Sequence, residues 1–314
     1  MTDSLGNDNI VKYFAGEDND GERVDKVMSS LSDSMSRSYI QKLIKDKKVL
    51  VNGKTVKASF NVSEGDILEM EIPASIIPDI EPENIPLDVI YEDKDVLVVN
   101  KPKDMVVHPA AGHYSGTLVN ALMYYLGDDL SGINGVMRPG IVHRIDKDTT
   151  GSVIICKNDI AHRGIAEQLK EHSINRVYHA ICHGIIKDDE GTIEGNIGRS
   201  ANDRKKMAVV PEGQGKPAIT HYKVLKRFEK EKLTYVECRL ETGRTHQIRV
   251  HMSKIGHPLL GDTVYGPSMK SRFKLQGQCL HAKILGFNHP VTGEYIETDA
   301  PLPEYFSHLL DILC

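Results

Sequence analysis

Apolar positions recur at helical spacing from Arg23 onward, where Val24, Val27 and Leu31 share one face, and again where Ile40, Leu43 and Ile44 do so behind a capping Ser36 or Ser38. From residue 49 the period drops to two. Val49 and Val51 alternate, Asn52-Gly53 supplies two residues that tolerate positive φ in a tight hairpin, and residues 67–72 follow a turn at Gly65-Asp66 to close a small sheet. Pro73, Pro78, Pro82 and Pro86 then remove amide donors at short intervals. The pattern therefore predicts a small α/β unit over 21–72, a Pro-rich linker over 73–86 and a second domain over 87–314. Residues 1–20 are acidic and aperiodic, and are expected to be mobile.

Beyond the linker, residues 95–100, 177–182 and 234–240 read as strands. Helices are expected at 161–171, where Ile165, Ala166 and Leu169 share a face, and at 246–254, with Thr245 capping the start and Gly256 the end. On the latter helix Ile248, Met252 and Ile255 are expected to face the core, with Arg249 beside that face. Many strands with few helices between them predict an α+β fold around a mixed or antiparallel sheet.

Composition adds little until it is mapped along the chain. No apolar run has the length of a membrane span, the start has no export-type segment, and five scattered cysteines suit reduced thiols, so a cytoplasmic monomer away from membranes is expected. A net charge of −5 argues against a nucleic-acid partner. Its distribution argues the other way: residues 37–57 hold seven basic residues, among them Arg37, Lys42, Lys45, Lys47 and Lys48, against the single acid Asp46. Such a run is a solvated face more often than an anion site.

Several chemistries find no support. There is no Gly-x-Gly-x-x-Gly after a strand, and Gly213-Gln214-Gly215-Lys216 is followed by Pro217 where a phosphate loop needs Ser or Thr. His179 and His183 have the spacing of a helical zinc pair but lie in a strand-like segment, which sets them ~13 Å apart; no metal site is expected. Three polar clusters remain. Residues 138–151 form a glycine-bounded loop holding His143, Arg144, Asp146 and Asp148; residues 241–252 open a helix with Arg244, His246, Arg249 and His251; Arg176 and Tyr178 stand two apart on a strand. Taken singly, each has an ordinary structural explanation: a turn cap or ion pair for Asp146, a solvated face for the arginines. Spacing alone also leaves Asp146 and Asp148 open as a pair of glycosidase carboxylates.

Together, and in this order, the clusters resemble the RluA/RluD class of pseudouridine synthases. The signature stands as His143-Arg144-Ile145-Asp146-Lys147-Asp148-Thr149-Thr150-Gly151, and the resemblance extends to Val99-Asn100-Lys101-Pro102, 116–122, 203–209 and Leu280-His281-Ala282. The N-terminal unit is similar to the RNA-binding module of the ribosomal protein S4 type. Departures are small: Ile145 for Leu, Thr150 for Ser, Arg176 for Lys, and Ser200 where His is frequent.

The resemblance implies an isomerase that detaches uracil from ribose, turns it and rejoins it through carbon without a cofactor. It implies Asp146 as the nucleophile, Tyr178 stacking on the base and relaying a proton, Arg249 pairing with the aspartate, Arg144 assisting base flipping and Leu280 lining the pocket. Arg176, Arg204, Lys205 and Lys206, with the basic residues of the small unit, are the expected RNA contacts. The implied substrate is large-subunit (23S-type) ribosomal RNA or a precursor ribosomal particle. An N-glycosidase releasing uracil, or an assembly factor in which Asp146 is dispensable, stays open from the sequence.

Overall fold

The computed structural model describes residues 10–31, 37–71, 80–109, 113–127, 140–200, 203, 206–267 and 273–314. The chain divides into two compact units, residues 1–78 and 79–314.

The first unit contains β1 (Ile10–Phe14), α1 (Val24–Ser30), α2 (Arg37–Lys45), β2 (Val49–Val51), β3 (Lys54–Thr55) and β4 (Ile67–Glu71), with an antiparallel sheet in the order β1-β4-β2-β3. The helical faces read from the sequence are the ones that are buried: Val24, Val27, Met28, Ile40 and Leu43 pack with Val49, Val51, Leu68 and Met70. Asn52 and Gly53 both take positive φ, as the hairpin requires. Residues 10–20 differ from expectation. Ile10–Phe14 forms the strand β1 beside β4, and Ala15 anchors its end by donating to the Asp66 carbonyl and accepting from the Gly65 amide. The β-branched and aromatic side chains of this segment set its conformation, despite the acids around it.

This unit also buries one carboxylate completely. Asp25 on α1 is 0 % exposed and accepts paired hydrogen bonds from Arg23 and from Arg37, and one from Gln41 at 2.6 Å. These donors hold its carboxyl well below the ordinary carboxylate range, against the opposing effect of burial.

The second unit begins with β5 (Val89–Glu92), β6 (Val96–Lys101), α3 (Leu118–Leu126), β7 (Thr150–Cys156), α4 (Asp159–Lys170) and β8 (Asn175–His183). It continues with β9 (Glu190–Arg199), β10 (Met207–Val210), β11 (Lys216–Phe228), β12 (Leu233–Leu240), α5 (Gln247–Lys254), β13 (Leu280–Asn288), β14 (Tyr295–Asp299) and α6 (Glu304–Leu313). One ten-stranded mixed sheet runs β10-β9-β11-β12-β8-β13-β7-β6-β5, with β14 on β13. Among the described residues the parallel pair is β13 with β7, and the other neighbours are antiparallel.

The uninterrupted apolar run 96–99 is explained by cover on both faces. Leu97 and Val99 join Val153 and Ile155 in a core shared with α3 and α5, while Val96 and Val98 join Ile154 and Cys156 in one shared with α4. The β7–β13 junction needs Gly151, whose φ is +109° and whose Cβ would lie 2.3 Å from the carbonyl oxygen of Ala282.

The expected linker is shorter at its far end. Ile80 is buried and Ile85 packs against the same core as α3, while Asn120 accepts from the Glu83 amide and donates its side-chain Nδ2 to the Glu81 carbonyl. Pro82 and Pro86 thus sit in an extended arm of the second unit. Residues 72–79 lie outside the described residues.

Candidate active site

Asp146 sits on the irregular loop before β7, and this loop is fastened from below. The ammonium of Lys101, at the end of β6 and 1 % exposed, donates to the carbonyls of Pro102, Met105 and Lys147. Burial pushes its pKa down to about 7, against the pull of the nearby Asp148 and Asp146. His143 accepts the Ile154 amide at its Nε2 (3.0 Å), which assigns the histidine of the signature a structural part.

Arg249 reaches the loop from α5. It is 5 % exposed, although the sequence set it only beside the buried face; Ile255, expected in the core, is 36 % exposed instead. Its Nη1 donates to Asp146 Oδ2 at 2.8 Å, while Nε and Nη2 form a fork on Asp262 at 2.7 and 2.9 Å. Asp262 accepts in addition from the amides of Val264 and Tyr265, and its side chain is fully buried. Burial alone disfavours the charge on both partners, but the pairing outweighs it: Arg249 is raised above its ordinary range and Asp262 is lowered.

The helix start differs from expectation. His246, not Thr245, occupies the cap position, in the left-handed region at φ 57°, with no side-chain capping bond. The local fastening comes from Gln247, which accepts from the Arg244 amide and the Thr242 hydroxyl and donates to Ile219 and Thr220 on β11. The far end does close on Gly256, at φ +84°, with the His257 amide donating to Met252.

Two adjoining cavities, of about 60 and 650 Å³, share Arg144, Ile145, Asp146, His246 and Arg249 in their walls. The smaller one adds Tyr178, Leu240 and Leu280; the larger opens toward Asp148 and the 106–109 segment. Ile145, Leu240, Ile248 and Leu280 give the smaller cavity apolar walls, among which charged and polar groups converge. The fold thus brings Asp146, Arg144, Tyr178, Arg249 and Leu280 together from four distant segments. Asp146 and Asp148 are not equivalent: Arg249 pairs with Asp146 and Asp262, and with no other carboxylate among the described residues.

A family model described as RNA pseudouridylate synthase matches residues 95–254, and one described as S4 domain matches residues 22–68. The chain belongs to the pseudouridine synthase family. It is 51% identical to the uncharacterized RNA pseudouridine synthase YlyB of Bacillus subtilis, over 97% of this chain and 98% of that one. Identity to the ribosomal large subunit pseudouridine synthase D of Zymomonas mobilis is 47%, over 93% of this chain and 94% of that one. Among solved structures, human RNA pseudouridylate synthase domain containing 1 aligns with a TM-score of 0.56 at 25% identity, over 77% of this chain and 97% of that one. The protein is therefore an isomerase of the pseudouridine synthase type with an S4 RNA-binding domain.

In this synthase Tyr178, on β8, is 9 % exposed, and burial together with the Asp146 charge raises its phenol while Arg176 opposes the rise. Arg176 is itself 7 % exposed and donates to the Glu241 carbonyl at 2.9 Å. Its Nη1 stands 2.6 Å from where a Cβ on Gly243 would be, so glycine there makes room for arginine. Arg176 is thus a buried part of the scaffold two residues from Tyr178. Arg144 is exposed.

The basic residues of the small domain are not alike: Lys42, Lys45 and Lys47 are exposed, whereas Arg37 is tied to Asp25 and Lys48 to Glu71. Arg204 and Lys205 lie outside the described residues; Lys206 is half-buried in a turn whose carbonyl accepts the Ser200 amide.

A cluster suited by composition to a metal ion lies elsewhere, at Asp93, Asp95 and His289. There His289 Nδ1 accepts the amides of Val291 and Thr292, which leaves its proton on Nε2, 3.0 Å from Asp93. A protonated ring nitrogen has no lone pair for a metal. His179 and His183 lie on the strand β8, not on a helix, and His179 shares a hydrogen with Tyr235 at 2.5 Å.

Sequence reading missed Asp262, Tyr265 and the positioning part of Lys101. Asp262 had one usable signal: it follows a glycine and precedes two residues whose amides it accepts, the pattern of an Asx turn.

Proposed function

We propose that this enzyme isomerises uridines of large-subunit ribosomal RNA, free or in a precursor particle, with Asp146 as the nucleophile. The observation that carries the reading is the half-satisfied carboxylate: Arg249 holds Oδ2 of Asp146 at 2.8 Å and leaves Oδ1, and the residue lines the same cavity as Tyr178 and Leu280. A buried guanidinium fixes the orientation and charge of the nucleophile without consuming its second oxygen.

The target base must leave its stack to reach this slot, at a cost of a few kcal/mol, and Arg144 at the exposed rim is suited to fill the vacancy. Uracil then lies between Leu280 and Tyr178. Asp146 displaces it from the ribose carbon, the ring turns within the slot, and its C5 attacks that carbon, releasing the Asp146 carboxylate. The C5 proton is lost in the last step, and Tyr178, a neutral phenol, stacks on the ring and relays that proton toward solvent. The names of relatives such as the Zymomonas mobilis enzyme support ribosomal RNA as the substrate class, and the exposed lysines 42, 45 and 47 give the S4 domain an anionic-backbone footprint. On this reading the enzyme acts in the cytoplasm, as a monomer.

The test is chemical mapping of pseudouridine across ribosomal and transfer RNA, with the gene present, deleted, or replaced by Asp146→Asn. Deletion and replacement should lose the same large-subunit sites; retention of every site in the Asp146→Asn strain would sink the nucleophile assignment.

A further inference from the structure

His246 is a second polar group at Asp146. Its Nε2 stands 3.8 Å from Asp146 Oδ1, the oxygen that Arg249 leaves open. The other ring nitrogen, Nδ1, lies 2.9 Å from the phenol oxygen of Tyr265, and that oxygen already accepts the Met207 amide at 2.9 Å. With its acceptor side taken, the phenol has its own proton to give to Nδ1. A hydrogen bond given by the phenol to Nδ1 selects the tautomer that carries its hydrogen on Nε2, toward the aspartate.

Two further observations mark His246 as held in place. It adopts φ 57°, an uncommon conformation for a residue with a side chain, at the point where the 241–246 segment becomes α5. The Tyr265 ring packs edge-on against its imidazole at 5.7 Å and also carries the Arg249 guanidinium over its face at 5.1 Å. One tyrosine thus buttresses both donors that face Asp146. Burial lowers the imidazole from its ordinary value, against Asp146, so the neutral ring is the relevant form.

We propose that His246 is a positioning residue for Asp146, directing a tautomer-fixed Nε2–H toward Oδ1 while Arg249 holds Oδ2. At 3.8 Å the pair is too far apart for a hydrogen bond, so the Oδ1 lone pair stays available for attack while the Nε2–H acts on the carboxylate through its charge and direction. Tyr265 and the Met207 amide set the tautomer. Met207 directly follows the basic run 204–206, so the relay starts next to residues expected to meet RNA. The inference rests on Asp146 being the nucleophile.

The full chain labelled with ¹⁵N-histidine reports the tautomer directly. His246 should show a protonated Nε2 and a bare Nδ1, and Tyr265→Phe should lose that preference; an Nδ1–H tautomer in the wild type would overturn the proposal. Activity is read separately, as tritium release from [5-³H]uridine-labelled total RNA taken from cells lacking the gene. His246→Asn keeps a polar atom near Tyr265 and a residue at ease in the left-handed region, but has nothing at the Nε2 position. It should lower the single-turnover rate roughly tenfold or more, with RNA affinity and thermal midpoint unchanged. His246→Gln, whose amide reaches the Nε2 position, should stay within about threefold of wild type. Wild-type rates in His246→Asn, or equal losses in both variants, would also overturn it. A wild-type protein that releases no tritium from any RNA would instead contradict the pseudouridine reading, and the tautomer measurement would still decide the inference.

Discussion

The two units of this protein each bury an arginine–aspartate network, and the two are built in opposite proportions. In the S4 domain one carboxylate, Asp25, is saturated by two guanidiniums and an amide. In the catalytic unit one guanidinium, Arg249, is divided between two carboxylates, Asp262 and Asp146. Saturation makes Asp25 inert: all its lone-pair directions are occupied and its charge has no work left to do. Division leaves Asp146, a wall of the cavity, with one oxygen bound by the arginine and one not, so the arginine orients it without quenching it. The fully buried fork to Asp262 holds the guanidinium in place, and what is left of its donors serves the site.

The sharpest way to break the comparison is to remove the half-satisfied member. Asp146→Asn should lower pseudouridine formation by roughly three orders of magnitude or more, measured as tritium release, while unfolding in urea stays near wild type because Arg249 keeps Asp262. Removing the buttress should do the reverse in kind. Asp262→Ala strands a buried arginine and two amides, and is expected to cost about 3–5 kcal/mol of stability in the catalytic unit, read from the urea midpoint, with activity falling as well.

The corresponding change in the other unit, Asp25→Ala, frees arginines that are half exposed and can rehydrate. It should cost less, roughly 1–3 kcal/mol, and weaken RNA binding in a filter assay without slowing single turnover at saturating RNA. The smallest difference is in pH dependence. Burial pushes His251 and His281 in the catalytic unit down to about 4, whereas unfolded histidine takes up a proton near pH 6.5. Unfolding there binds protons between those values, so stability should decline as pH falls from about 6.5 to 4. Asp25 is depressed when folded, so its contribution is complete above about pH 4 and is lost only as pH falls below that. Urea titrations across that range, with a probe on each unit, should show the catalytic unit weakening first.

The sequence made some of this contrast legible and hid the rest for a physical reason. Helical and strand periods located α1, α2, β6, β8 and β12, because those elements bury continuous faces whose spacing is local. Asp146, Tyr178 and Arg249 were legible only in company: each alone had an ordinary structural explanation, and the resemblance carried by the three clusters in order singled them out. Asp262 was not: thirteen residues from Arg249 and in a turn, it looks like any solvated aspartate until the fold buries it. His246 and Tyr265 share that concealment, since their pairing depends on where the loop after α5 returns. Strand β1 was misread because the neighbouring acids dominated its composition, although its own five residues, Ile-Val-Lys-Tyr-Phe, are strand formers.

Strand β13 has a consequence for how the enzyme is made. It lies between β7 and β8, and is the one described link in the sheet between the β5–β7 half and the β8–β12 half. Asp146 precedes β7 and Arg249 follows β12, so they belong to opposite halves. On a ribosome, both halves emerge before the strand that joins them. The pairing of Asp146 with Arg249 thus joins two flanks of the sheet whose connecting strand comes last in the chain, so the site is complete only late in synthesis.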